Sequence, residues 1–262
     1  MTSLRPIGIV GTDGLARTVA ERIAATGRRV LLHVSGTAQS GKLPKNIEAV
    51  ATPTDIGFDC EIVLSFIDDS TVFRTLLLGT PDRMGLGAEM NPGAVLVDFG
   101  ARPPRETQAL LGVTGTRGVA IVDAAITGSA EALVSGAGAI LIGGYIDSVD
   151  IVEPVLALLG NVDRTGGLGS AHTAAALMGY MEAAHRIAHD EALSVGRALG
   201  LSSETLARVL DPDGVSAEAG DPLSLARRTG LALKLATDRG VSAQVIDFTG
   251  ARLAQSGMTR PS

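Results

Sequence analysis

The chain has 262 residues, 45% of them apolar, and its 22 basic and 28 acidic side chains leave a net charge of −6, a balance that argues against a nucleic-acid partner. A chain of this length can bury a core without disulfides or metal, and the lone Cys60 permits neither an intrachain disulfide nor a cysteine metal cage. Aromatic residues, at 3%, are too sparse for a single-strand stacking platform.

Met1–Pro6 carry no apolar run of signal-peptide type, and no stretch of about 18 apolar residues free of Gly and charge occurs. The expectation is a cytoplasmic protein without membrane contact. From Pro6 onward a short apolar run, a Gly-rich break and a helical period alternate, which is the mark of βαβ units. Strands are predicted at Ile7–Val10, Val30–Val34, Ile47–Val50, Ile62–Ile67, Ala94–Asp98, Val119–Asp123, Ala139–Ile142 and Asn161–Arg164. Their continuous Val/Ile/Leu character suits a sheet covered on both faces. Helices are predicted at Leu15–Thr26, Ser70–Leu78, Pro104–Leu111 and Asp147–Leu159, with Asp69, Pro103/Pro104 and Asp147 as starts. Ser35–Gly41 reads as a loop. After Gly169 the strand signal stops. A helix of about thirty residues, Ser170–Leu199, precedes shorter ones at Ser203–Leu210, Leu223–Arg239 and Ser242–Gln255, with Asp211–Asp221 an exposed connection. The fold class is therefore α/β: a Rossmann-like, doubly wound, mostly parallel sheet over 1–166, then a smaller all-α domain over 167–262 entered by a long interdomain helix.

Ile7-Gly8-Ile9-Val10-Gly11-Thr12-Asp13-Gly14-Leu15-Ala16 stands where a strand feeds a helix, the context in which backbone N–H groups meet a pyrophosphate. Gly11 takes the tight turn, Gly14 and Leu15 offer backbone to phosphate beside Thr12, and Ala16 permits close helix–strand packing. Asp13 occupies the middle position, where glycine is usual. At about 5 Å and an effective dielectric of about 20, each unit of like charge there costs about 3 kcal/mol. Turning Asp13 outward, using it as a helix cap, or offsetting it with Arg17 would relieve that cost. At the end of the second strand, where an acidic or basic residue usually selects the ribose, stand Val34 and Ser35. Ser35 offers one hydrogen bond, Arg28 and Arg29 lie nearby in sequence, and the choice between NAD and NADP stays open. An ordinary sheet turn without a ligand is the alternative reading of these residues.

The order of segments resembles the β-hydroxyacid dehydrogenase superfamily, in particular 3-hydroxyisobutyrate dehydrogenase and its relatives, which include imine reductases. Ile7–Ala20 resembles the opening turn, and Glu61–Gly79 (EIVLSFIDDSTVFRTLLLG) the strand–loop–helix along the cofactor, which implicates Phe66 and Ile67. Pro92–Thr107 (PGAVLVDFGARPPRET) resembles the next strand and its proline-started helix, and Val122–Ser129 (VDAAITGS) the substrate loop. The resemblance implies NAD or NADP as cofactor, a small hydroxy acid, carbonyl or imine as substrate, and a homodimer. In that chemistry a lysine on the long helix acts as acid or base, and an asparagine one turn later positions the substrate oxygen. Matching Gly167–Tyr180 (GLGSAHTAAALMGY) to the family places Ala175 and Gly179 at those positions, and the aspartate of many imine reductases is missing as well. Thr127 and Gly128 face the substrate in this match, Thr127 replacing a serine and Ser129 a second glycine. Gly100-Ala101 replace a common Ser-Thr pair, and Arg227 falls near a C-terminal lysine position.

His172 and Tyr180 lie near the Ala175/Gly179 face of the long helix and are the candidate replacement acids. Capping for the histidine and packing for the tyrosine are the structural alternatives. His185 and His189 have the spacing of a metal pair but no HExxH context, so no metal is expected. Asp68-Asp69 read as helix-capping residues. The function implied is an NAD(P)-dependent oxidoreductase; the alternative is a non-catalytic homologue that binds a ligand or partner with the same fold.

Overall fold

The computed structural model describes residues 5–12, 14–34, 42–128, 130–210, 222–241 and 244–255. Asp13, the Ser35–Gly41 loop with Ser35, Ser129 and the Asp211–Asp221 connection lie outside the described residues. The chain divides into two compact units, Met1–His172 and Thr173–Ser262.

The first unit opens with β1 (Ile7–Gly11), α1 (Gly14–Ala25), β2 (Val30–Val34), β3 (Ile47–Ala49), α2 (Thr54–Asp59), β4 (Ile62–Phe66) and α3 (Ser70–Leu78). A small hairpin, β5 (Gly79–Thr80) and β6 (Arg83–Met84), leads to α4 (Leu86–Glu89), β7 (Val95–Asp98), α5 (Pro104–Thr114), β8 (Ala120–Thr127) and α6 (Ala130–Ser135). The unit ends with β9 (Gly138–Gly143), α7 (Ile146–Leu156) and β10 (Gly160–Gly166). The main sheet has eight strands in the order β10-β9-β8-β7-β4-β1-β2-β3. Its pairs are parallel except β8 with β9, which run antiparallel from Asp123↔Gly143 to Thr127↔Ala139. Strand order reverses between β1 and β4, which puts a crevice outside their carboxyl ends.

Alternation along the strands sends side chains to two cores. Ile7 and Ile9 of β1 join one cluster, with Leu64 and Val97, while Val10 joins the other, with Val63 and Leu96. Two helix starts follow the sequence logic closely. Asp69 caps α3, its carboxylate accepting from the backbone N–H groups of Thr71 and Val72 at 2.8 Å each, and Pro104 sits in the first turn of α5, where its missing N–H costs nothing.

The second unit continues α8 (Ser170–Ala198) into α9 (Ser203–Leu210), α10 (Pro222–Asp238) and α11 (Gln244–Gln255). Ala176 of α8 packs with Leu231, Ala232 and Ile246, and Ala183 packs with Leu225 and Ala226. Among the described residues no helix is long and apolar enough to cross a membrane, and no group of His, Cys, Asp and Glu could hold a metal ion.

The short helices α2, α4 and α6 and the β5–β6 hairpin are absent from the sequence reading. They are too short to carry a period of their own. The stretch through Thr127, expected as a loop, is strand: β8 runs on past Asp123 and gains its last pairs from β9.

Candidate functional site

At the β1/β4 crevice, Gly11 ends β1 beneath the first turn of α1. A Cβ on Gly11 would lie 2.4 Å from the Ala16 Cβ and 3.3 Å from the Phe66 Cβ, so only glycine lets strand and helix approach this closely. The Thr12 N–H donates to the Phe66 carbonyl at 3.4 Å, which fastens the turn to the end of β4. Among the described residues, a Cβ on Gly14 would meet nothing within 4 Å. Leu15, which follows it, is 39% exposed. Gly14 thus adds no side chain at the positive end of the α1 dipole. Arg17 bonds Glu21 at 2.8 Å and reaches the Lys42 carbonyl at 3.3 Å.

Across the crevice, Phe66 and Ile67 are buried, and the Phe66 ring stacks on Phe99 with centroids 4.6 Å apart. The Ile67 carbonyl accepts from the Arg102 guanidinium. Arg102 is 1% exposed and Asp98 fully buried. Arg102 Nε donates to Asp98 Oδ2 at 2.6 Å and Nη2 to Oδ1 at 3.0 Å, and the guanidinium lies 3.9 Å over the Phe73 ring. The carboxylate also accepts from the Gly100 N–H at 3.0 Å. Sequence reasoning passed over this pair. Its signal was an arginine four residues after a strand-terminal aspartate, in a segment otherwise apolar or small.

Asp123, fully buried on β8, caps the entrance to α8 from a distant part of the chain. Its Oδ1 accepts from the Gly169 N–H at 2.6 Å and its Oδ2 from the His172 N–H at 2.9 Å. Burial pushes its carboxyl above the ordinary 3.8, against the opposing pull of His172 charge and these backbone N–H groups. Because the folded-state value exceeds the unfolded one, the contribution of this carboxyl to stability is fully present below 3.8 and is lost as pH rises through the folded value. The loss amounts to about 1.4 kcal/mol for each unit of difference. In urea unfolding followed from pH 4 upward, the stability of the wild type relative to Asp123→Asn should fall as pH rises. A flat difference would contradict this.

The structure places His172 in the core, 2% exposed, with its ring Nε2 2.9 Å from the Asp98 carbonyl oxygen and Nδ1 buried without a hydrogen-bond partner. Its ring therefore links the start of α8 to the end of β7. The Thr127 hydroxyl donates to the Ala139 carbonyl at 3.2 Å, tying β8 to β9. Gly128 has φ +88° and open space around its Cβ position, so the turn here depends on glycine.

In the second unit, Ala175 is buried, and Tyr180 packs on the Ala176 cluster. A Cβ on Gly179 would lie 2.4 Å from the Arg228 Cβ of α10, so the asparagine position is filled by a neighbouring helix. Arg228 approaches Glu182 at 3.8 Å, while Arg227 is exposed. Gly11, Thr12, Gly14, Leu15, Phe66 and Ile67 thus gather around one crevice of the first unit, with Thr127 and Gly128 at the end of β8 in that same unit. Cys60 is buried, its thiol pushed up to about 12 by burial and next by the Asp59 charge, so it is inert as a nucleophile.

Comparison with known proteins agrees with this geometry. Residues 6–172 match the family model for the NAD binding domain of 6-phosphogluconate dehydrogenase. L-threonate dehydrogenase of Cupriavidus necator is 26% identical over 216 residues, covering 79% of this chain and 69% of that protein. Mitochondrial 3-hydroxyisobutyrate dehydrogenase of Bos taurus is 22% identical over 213 residues, covering 80% of this chain and 62% of that protein. Among solved structures, Mycobacterium tuberculosis 3-hydroxyisobutyrate dehydrogenase with L-serine superposes with a TM-score of 0.84 at 16% identity, covering 96% of this chain and 93% of that one. An imine reductase from Myxococcus stipitatus in complex with NADP+ gives 0.63 at 17% identity, covering 96% and 93%. The opening turn, the sheet order and the match over residues 6–172 together show that the chain belongs to the family of the NAD binding domain of 6-phosphogluconate dehydrogenase, within the β-hydroxyacid dehydrogenase and imine reductase-like superfamily.

Proposed function

We propose that this protein is an NAD(P)-dependent reductase whose preferred substrate is an imine, carried in its protonated, iminium form. The observation that carries the reading is the pairing of a close-packed Gly11 turn between β1 and α1 with an α8 that has Ala175 and Gly179 where the resemblance places a lysine and an asparagine. Gly11 seats α1 on β1 and Gly14 adds no side chain at the helix start, two features that suit a dinucleotide. When bound, the nicotinamide supplies the hydride. The Gly11–Leu15 turn holds its pyrophosphate, and Thr127-Gly128 border the substrate.

Reduction of a carbonyl leaves an alkoxide that needs a proton, and a positioned acid is worth about 10²–10⁴ in rate. Ala175 offers none, and Gly179 is covered by Arg228. An iminium ion already carries its proton and positive charge, so hydride transfer yields the neutral amine directly. The His172 ring faces the Asp98 carbonyl and Tyr180 packs on the Ala176 cluster, so this reading assigns the proton to neither. The exposed apolar side chains Leu177, Met178, Met181 and Val195 of α8 support a homodimer, to be checked by light scattering. A lone cysteine with no partner for an intrachain disulfide suits a reducing cytoplasm.

The test compares oxidation of NADH and NADPH with a small cyclic imine and with the aldehyde or ketone of matching carbon skeleton. Turnover of the imine should exceed that of the carbonyl compound by about 10²-fold or more. Comparable turnover of both, or of the carbonyl compound alone, would overturn the reading.

A further inference from the structure

Gly100-Ala101, which the resemblance matches to a Ser-Thr pair, reads from sequence as a simple loss. The structure shows an exchange. A Cβ at Gly100 would lie 2.1 Å from Arg102 Nη2 and 2.4 Å from the Ile67 carbonyl oxygen. No residue larger than glycine fits there while Arg102 keeps its place, so Gly100 and Arg102 form one coupled feature.

That feature joins two connections that run side by side at the carboxyl edge of the sheet. Arg102 takes the Ile67 carbonyl, the Ala101 N–H donates to Asp68 Oδ1 at 3.2 Å, and the Ser70 hydroxyl donates to Glu106. The β4–α3 segment is thereby fastened to the β7–α5 segment at successive points. The guanidinium is itself immobilised by Asp98 on one side and the Phe73 ring on another. A doubly wound sheet receives the adenosine half of a dinucleotide over β1–β2 and the nicotinamide half beyond the switch point, over β4 and β7.

We infer that Arg102 is a positioning residue for the nicotinamide half of the cofactor, holding the Ile67–Ser70 and Gly100–Glu106 segments as one rigid wall. This rests on the dinucleotide reading above. The buried tie shapes the wall from behind and touches neither cofactor nor substrate.

Arg102→Lys keeps the charge opposite Asp98 but cannot grip Asp98 and Ile67 together. Gly100→Ala retains the arginine in the sequence but drives its Nη2 off the carbonyl. For each variant, binding of whichever of NADH and NADPH the wild type prefers is measured beside binding of the matching ADP-ribose, which lacks nicotinamide. Both variants should weaken the dinucleotide about tenfold or more, the scale of one hydrogen bond to a charged group, and leave ADP-ribose affinity unchanged. Backbone amides of Asp68–Thr71 should also exchange hydrogen faster, with those of Ile7–Val10 unaffected. Equal weakening of both ligands would mark a general structural role and overturn the inference, as would unchanged dinucleotide affinity. If the wild type binds neither dinucleotide, the cofactor reading fails and the positioning role falls with it; hydrogen exchange then still reports whether the tie exists.

Discussion

Asp98→Ala should destabilise the protein by about 3–5 kcal/mol, because it leaves the Arg102 guanidinium buried without its counter-charge. Asp98 is fully buried and Arg102 is 1% exposed, so water cannot take over the lost bonds. The Gly100 N–H, which now donates to the same carboxylate, is orphaned too. Against a typical stability of about 5–15 kcal/mol this is a large share. Urea denaturation gives the value directly. A change below about 1 kcal/mol, the scale of an exposed pair, would mean that the pair is solvated in solution. Removing both partners with Asp98→Leu/Arg102→Met should cost less than the single change, since a buried ion pair gains little over well-packed apolar groups.

Gly14→Val should do the opposite: leave the fold intact and remove the cofactor. A Cβ at Gly14 meets no described atom within 4 Å, so a side chain can start there without displacing the described packing. It would stand where the pyrophosphate must approach the first turn of α1. The wild type with dinucleotide at a hundred times its dissociation constant should gain about 2.7 kcal/mol of apparent stability. In Gly14→Val that gain should vanish while the unliganded melting temperature stays near the wild-type value. A retained gain would place the phosphates elsewhere. Gly11 differs from Gly14 in kind, because a side chain there collides with Ala16 and Phe66 before any ligand arrives.

Much of the fold was legible because the local signals agree with one another. α3 and α9 occupy Ser70–Leu78 and Ser203–Leu210, as their periodicity predicts, and α3 starts at its Asp69 cap. The parallel strands announce themselves as unbroken apolar runs, since both faces of the sheet are covered. The extension of β8 to Thr127 was hidden because its last residues find their partners on β9, beyond an intervening helix.

The site was legible in part for the same reason. Gly11 and Ala16 interact across a single turn, so their pairing can be read from spacing alone. Gly100 could not be interpreted without the side chain that excludes its Cβ, nor Gly179 without Arg228 from a helix some fifty residues on. Asp123 likewise caps a helix 46 residues away in sequence. Such long-range reasons for a small or buried polar residue leave no local pattern. The missing lysine and asparagine were visible by resemblance; that Gly179 is closed by packing emerged only in three dimensions.

The central claim is that the β1/β4 crevice takes a nicotinamide dinucleotide. Calorimetric titration of the wild-type protein with NADH and with NADPH tests it most directly. The account predicts saturable one-to-one binding of at least one of them, lost in Gly14→Val. Absence of binding for both at millimolar concentration, with the protein folded, would contradict it.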